Sequence, residues 1–180
     1  MIAVLRVFSF FFLKIRNKYY SYALNAVNLI VGRGVSIVGS KNIFIGRGVN
    51  LGRFTWLDAI GEGMIHIGDN VSLSQNVHIA AAKLVVIGDG CLIGSDVLIT
   101  DHNHSFGVDY LDILPSSRPL DVRGGTVLGK HIWLGDNVKI LSGVVLGDNV
   151  VVAANSVVTK SFLGNVVIAG NPAKVIKNIL

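Results

Sequence analysis

The sequence predicts an all-β solenoid. Three observations predict it: an aliphatic residue recurring every six positions, glycine-rich tripeptides between these residues, and prolines confined to breaks in the pattern. The clearest run is Leu128, Leu134, Ile140, Leu146, Val152 and Val158. The same step joins Val31 to Ile37, Ile45 to Leu51 and Leu57, Ile67 to Leu73 and Ile79, and Ile87 to Ile93 and Ile99. A period of six matches neither the helical 3.6 nor the simple strand 2.0. It suits short strands turned through a corner once per hexad. Three faces then close a triangular coil of about 18 residues, whose strands stack in parallel about 4.8 Å apart.

The tripeptides at 46–48, 68–70, 88–90, 135–137 and 147–149 supply the corners, because Gly, Asn and Asp tolerate unusual backbone angles. Pro115, Pro119 and Pro172 fall outside the hexads, as ladder strands require. The departures from period are equally informative. Extra residues bulge around "DAIGEG" (58–63) and at "AAAK" (80–83), and a long excursion over 101–125 leaves the coil after Ile99. Loops of that length inside a compact domain usually carry function.

The repeat occupies residues 31–163. Residues 1–30 lie outside it and read as a helix, with Leu5, Phe8, Phe12, Ile15, Tyr19 and Tyr22 at helical spacing. A solenoid end needs a cap over its open core and unpaired edge, which is the favoured role. Arg6, Lys14, Arg16 and Lys18 keep peripheral membrane contact through residues 1–22 as the second reading. Residues 164–180 read as a tail and short helix closing the other end.

Composition bounds the function. A chain of 180 residues with 51% apolar content supports one domain with a sizeable core. No apolar run approaches the ~20 residues of a membrane span. There is no small-residue cleavage site after the apolar N-terminus, and the single Cys91 cannot form an intrachain disulfide, so a cytoplasmic location is expected. The net charge of +5 calls for an anionic partner. Nucleic acid is disfavoured, because the basic residues form no run interleaved with aromatics.

Chemistry concentrates in "ITDHNHSF" (99–106), at the mouth of the excursion. Imidazole titrates near neutrality, so His102 can take a proton from a substrate hydroxyl and return it elsewhere; a solvent-facing loop histidine is the plain alternative. Asp101 could hold the ring tautomer, but neighbouring side chains on an extended segment point apart.

The hexads, the loop histidine and the segments "VLGKHIWLGDNV" and "VAANSVVTK…NVVIAGNPAKVIKNI" resemble the hexapeptide-repeat acyltransferases. Within these the likeness is to galactoside, maltose and xenobiotic acetyltransferases and to the sugar O-acetyltransferases of surface-polysaccharide clusters. The resemblance implies a left-handed parallel β-helix. It also implies an acetyl-CoA-dependent transfer to a sugar hydroxyl, a homotrimer with sites between subunits, and no resident metal. It makes His102 the general base, with His104 touching the acceptor or orienting the loop. Gly135 and the backbone N–H of Asp136 become the oxyanion pocket, and Trp133 and Asn76 the acceptor contacts. Ala154, Thr159 and Lys160 line the pantetheine channel; Asn171, Pro172 and Ala173 form a turn, and Lys174 and Lys177 meet nucleotide phosphates. A zinc hydratase of the same fold is the rival, drawing on His66, His78, His102, His104 and His131, but their spacing is unfavourable. A non-catalytic binding scaffold is the other rival, against which the loop histidine and the coenzyme A tail both speak.

Overall fold

The computed structural model describes residues 2–180, with side chains from Leu13 onward. The side chains of Leu5, Arg6, Phe8 and Phe12, expected along one helical stripe and its flank, lie outside the described residues. One helix, α1 (Ile2–Ala23), precedes a parallel β-solenoid. Among the described residues the solenoid has three long faces. The first sheet has eight strands, from Ile30–Val31 to the C-terminal hairpin, with Trp133–Leu134 near its middle. The second has six, including Trp56–Ala59, His78–Ala81, Leu98–Thr100 and Lys139–Ile140. The third has five, including Leu84–Ile87 and Thr126–Leu128.

The hexad aliphatics form columns inside this prism. Leu51, Leu73, Ile93 and Leu134 stack along the first face, Leu57, Ile79, Ile99 and Ile140 along the second, and Ile87 and Leu128 on the third, all essentially inaccessible. Burying such a side chain contributes about 1.5–3 kcal/mol. Ile99→Ala, in the strand that leads to the histidines, is expected to cost about 2–5 kcal/mol in urea unfolding. A loss within experimental error would mean the column does not pack as described. Cys91 joins the same interior, where burial pushes its thiol up to about 11.

Corners are built twice over. Asn70, His131 and Asn149 at one edge, and Asn76, Asp96, Asn137 and Asn155 at another, take positive φ between 56° and 60°. Asp carboxylates then accept the backbone N–H of the coil beneath: Asp69 from Arg47, Asp89 from Asp69, Asp148 from Lys130 and Asp136 from Ser95, at 2.7–2.9 Å.

The C-terminal half of α1 sits on the first coil. Asn17 accepts the Val31 N–H at 3.0 Å, satisfying an edge donor, and Tyr20 packs against a core that includes Leu24 and Leu29. The face in use is therefore 17, 20 and 24. Ile15, Tyr19 and Tyr22, expected on the packed stripe, are exposed instead. Among the described residues no helix is long and apolar enough to cross a membrane.

The expected C-terminal helix is absent. Val166–Gly170 continues the first sheet in parallel on Val151–Val152, and Ala173–Asn178 folds back antiparallel on it. The Val166–Ile168 and Val175–Ile176 runs are β-branched, which favours strands, and the Gly170–Pro172 turn interrupts any helical run between them.

Candidate active site

The strand Leu98–Thr100 ends where the second face turns toward the third, and there the chain leaves the coil. Asp101 stays inside the corner. It is wholly buried, and its carboxylate accepts three backbone N–H groups, from Ala82 (2.8 Å), Lys83 (2.7 Å) and Leu84 (2.6 Å). The first two donors belong to the "AAAK" bulge of the coil below and the third opens the strand after it, so the break in period there makes a carboxylate cradle. Ser142 from the coil above donates to the Asp101 carbonyl at 2.5 Å.

The fourth partner of the Asp101 carboxylate is His102. Its Nδ1 lies 3.0 Å from Asp101 Oδ1 and 3.1 Å from Thr100 Oγ1. The two neighbouring side chains therefore meet, against the expectation that they diverge. That expectation holds for a continuing strand, but the strand stops at Thr100 and the chain turns. Burial would raise the Asp101 carboxyl; the hydrogen bonds from His102 and from the Ala82, Lys83 and Leu84 backbone outweigh it and hold the group below its ordinary value. An ionised carboxylate can only accept, so the neutral ring carries its proton on Nδ1 and keeps the lone pair on Nε2. His102 is mostly enclosed, with 13% of its side chain exposed.

His104 follows in a two-residue strand, Asn103–His104, paired antiparallel with Leu120–Asp121. It is exposed at the base of the excursion. The excursion itself carries short 3-10 turns at Val108–Tyr110 and Pro115–Ser117, and presents Phe106, Val108, Leu111 and Leu114 to solvent.

Sequence reasoning missed a row beside His102. On the outward side of the second face, Trp56 stacks on His78 with centroids 4.1 Å apart and planes 2° from parallel. Burial lowers the His78 pKa; Asp58 opposes that and His102 reinforces it, so all three lie within electrostatic reach. These residues sit one position either side of inward Leu57 and Ile79, and the period of six could have found them.

Four of the expected residues gather at a different edge. Trp133, Gly135, Asp136 and Ala154, with Val151, Val152 and Ala153, line a cleft of about 390 Å³ where the first face turns into the second. Gly135 is required by closeness: a Cβ there would lie 2.6 Å from the Ala154 nitrogen. Asp136 carries a carboxylate that accepts from the coil below, whereas Ala154 above offers none. Among the described residues the Asp136 N–H has no acceptor, and it stands at the cleft. Lys174 and Lys177 lie next along the same sheet. A register shift at Val167/Ile168 pairs Lys177 with Val167 and Lys174 with Ala169, which puts both lysines on one outward face. Asn171 and Pro172 make the hairpin turn before them, whereas Ala173, expected in that turn, opens the returning strand opposite Gly170.

Other expected residues lie apart. Thr159 and Lys160 follow Val157–Val158 and stand above Leu141 and Ser142, on the His102 edge. Asn76 is a corner residue at the far end of its strand from that edge, and its amide donates to Asp96 at 3.0 Å. The rival metal set also scatters: His66 stacks on Phe44, His78 on Trp56, and His131 forms a corner. Among the described residues no group of three or more His, Cys, Asp or Glu could hold a metal ion.

Comparison with known proteins agrees with this architecture. Residues 125–160 match the family described as bacterial transferase hexapeptide (six repeats), and residues 84–108 match the hexapeptide repeat of succinyl-transferase. WbbJ of Escherichia coli K12, named as a lipopolysaccharide biosynthesis O-acetyl transferase, is 48% identical over 126 residues, which are 67% of this chain and 64% of WbbJ. The chain thus spans less than two thirds of that relative's length. A chloramphenicol acetyltransferase of Morganella morganii is 34% identical over 142 residues, covering 72% of this chain and 67% of that protein. Among solved structures, the N-acyltransferase AntD of Bacillus cereus, in complex with dTDP and 3-hydroxybutyryl-CoA, superposes with a TM-score of 0.78 at 22% identity, over 91% of this chain and 87% of AntD. With a WbbJ-like repeat, the hexapeptide matches and the parallel solenoid in hand, the chain belongs to the hexapeptide-repeat acyltransferase family.

Proposed function

We propose that this chain transfers an acetyl group from acetyl-CoA to a hydroxyl of a sugar or sugar-containing acceptor, in the synthesis of a surface polysaccharide. The observation that carries the proposal is the Asp101–His102 pair: a mostly enclosed imidazole whose buried carboxylate partner leaves Nε2 as the base. Acetyl-CoA supplies an activated thioester. His102 Nε2 takes the proton of the acceptor hydroxyl as its oxygen attacks the carbonyl carbon, and returns that proton to the thiolate when the carbon–sulfur bond breaks. The Asp136 N–H is a fixed donor for the negative charge building on the carbonyl oxygen. WbbJ is named an O-acetyl transferase and AntD an N-acyltransferase, which supports the class of reaction.

The residues present fit the cofactor. An open apolar cleft floored by alanine and valine leads to two lysines on one face of a hairpin, matching an uncharged arm that ends in phosphates. Removing both cations in Lys174→Gln/Lys177→Gln is expected to raise the KM for acetyl-CoA about tenfold or more with kcat little changed. Steady-state kinetics at saturating acceptor checks it; an unchanged KM would move the phosphates elsewhere.

His102 and the cleft occupy different edges of the prism, separated by the second face. One chain does not complete the site, so we propose a homotrimer in which the His102 edge of one subunit faces the cleft of the next. The proposed setting is the cytoplasm. The test of the reaction is free-thiol release from acetyl-CoA across free sugars, nucleotide sugars and lipid-linked sugars. Acceptor-dependent release with an acetylated product by mass spectrometry is expected; no coenzyme A binding by calorimetry would overturn the proposal.

A further inference from the structure

At the opposite end of the solenoid from the C-terminal hairpin, α1 and the first two coils enclose a cleft of about 750 Å³. Arg16 enters it from the helix, and Arg33 and Arg53 from the edge between the first and second faces. Arg33 and Arg53 occupy the same corner position one coil apart, since Phe54 donates to the Arg33 carbonyl and Asn76 to the Arg53 carbonyl. Two arginines thereby leave the backbone one above the other at about the 4.8 Å strand spacing, and like charges on directly neighbouring positions are unfavourable.

Elsewhere this chain neutralises its basic corners. Arg47 forms a two-nitrogen pair with Asp69, and Lys130 meets Asp89 at 2.9 Å. The arginine cleft has no such partner. Its lining contains no Asp or Glu, and among the described residues none of the three arginines makes an ion pair. Residues 1–12 contain no acidic residue either, so the beginning of the helix cannot supply a carboxylate side chain. Among the described residues, Arg16 Nε is buried and has no hydrogen-bond partner, which is costly for a charged donor.

We propose that this cleft is a second binding site, separate from the acetyl-transfer site, for a phosphate or pyrophosphate group. Three guanidinium forks around one cavity match the charge and the oxygen geometry of a polyanionic phosphate, and bidentate arginine contacts are strongest with that group. Bound phosphate relieves the Arg33–Arg53 repulsion and gives Arg16 Nε its acceptor. The same group is offered by a soluble diphosphate and by a phospholipid headgroup. The proposal does not depend on the acetyl-transfer reading, because it uses neither His102 nor the coenzyme A cleft.

The test uses the full chain carrying Lys174→Gln/Lys177→Gln, which removes the other paired lysines. Inorganic pyrophosphate is titrated by calorimetry. In parallel, vesicles of phosphatidate in phosphatidylcholine are sedimented with the protein, against phosphatidylcholine alone. Arg33→Gln/Arg53→Gln, both at exposed corner positions, is compared with Lys41→Gln as a charge control, with melting curves confirming that each variant folds. The expected result is binding that weakens about tenfold for each arginine removed and is kept by Lys41→Gln. Loss of pyrophosphate binding in the arginine variant assigns a soluble ligand. Loss of vesicle binding alone assigns a headgroup. Absence of binding in both arms, or equal weakening by Lys41→Gln, would overturn the proposal.

Discussion

Replacing His102 with alanine is expected to lower kcat/KM for acetyl transfer by about 10²–10⁴-fold, the usual contribution of a positioned general base. The fold should survive, because His102 lies outside the aliphatic columns and its main partner, Asp101, keeps three backbone donors. Acetyl-CoA should still bind, since the cleft and the hairpin lysines are on another edge. The loss should therefore fall on kcat. His104→Ala is the discriminating comparison. Exposed beside Leu120 at the base of the excursion, His104 should affect acceptor KM more than kcat. A collapse of kcat in His104→Ala, with His102→Ala retaining its rate, would transfer the role of base to the second histidine.

Asp101→Ala should be the most destabilising polar substitution near the site. It takes the shared acceptor from the backbone N–H groups of Ala82, Lys83 and Leu84 and from the ring N–H of His102, and each donor stranded away from water costs about 1–3 kcal/mol. Asp101→Asn keeps the shape but turns an amide NH₂ toward donors, so it should lie between the alanine variant and wild type. The pH dependence follows from the lowered carboxyl. Because the folded value sits below the unfolded one, the stabilisation is fully present above the ordinary carboxylate range and disappears as pH falls through the folded value. Wild type should lose melting temperature through that acidic window, and Asp101→Asn should lose less. Parallel acid profiles would show that the carboxylate is not held as described.

Much of the scaffold was legible before any coordinate. A period of six with Gly-Asp-Asn corners leaves few alternatives, and each break in the period marks something real: the bulge at 80–83 is the Asp101 cradle, and the break after Ile99 is the excursion. The Asp101–His102 contact was hidden because it depends on where the strand ends, a boundary that local pattern does not set. The C-terminal hairpin was read as a helix because "NPAKVIKNI" has short apolar spacing compatible with both; pairing with Val166–Gly170 decided it. An asparagine is at once a good ligand and a good corner, and the positive φ of Asn76 shows the second role. The Trp56–His78 stack was in register from the start but lay on the outward face, away from the columns that revealed the fold.

The separation of base and cleft leads to one direct measurement. His102→Ala leaves a sound cleft, and Ala154→Trp, at an exposed position on the cleft wall, fills the cleft but leaves a sound base. Each variant alone should be inactive. Denatured together and refolded as mixed oligomers, they should regain acceptor-dependent thiol release, because some sites then combine the His102 edge of one subunit with the open cleft of another. Mixed oligomers that remain silent would contradict a site shared between copies of this chain.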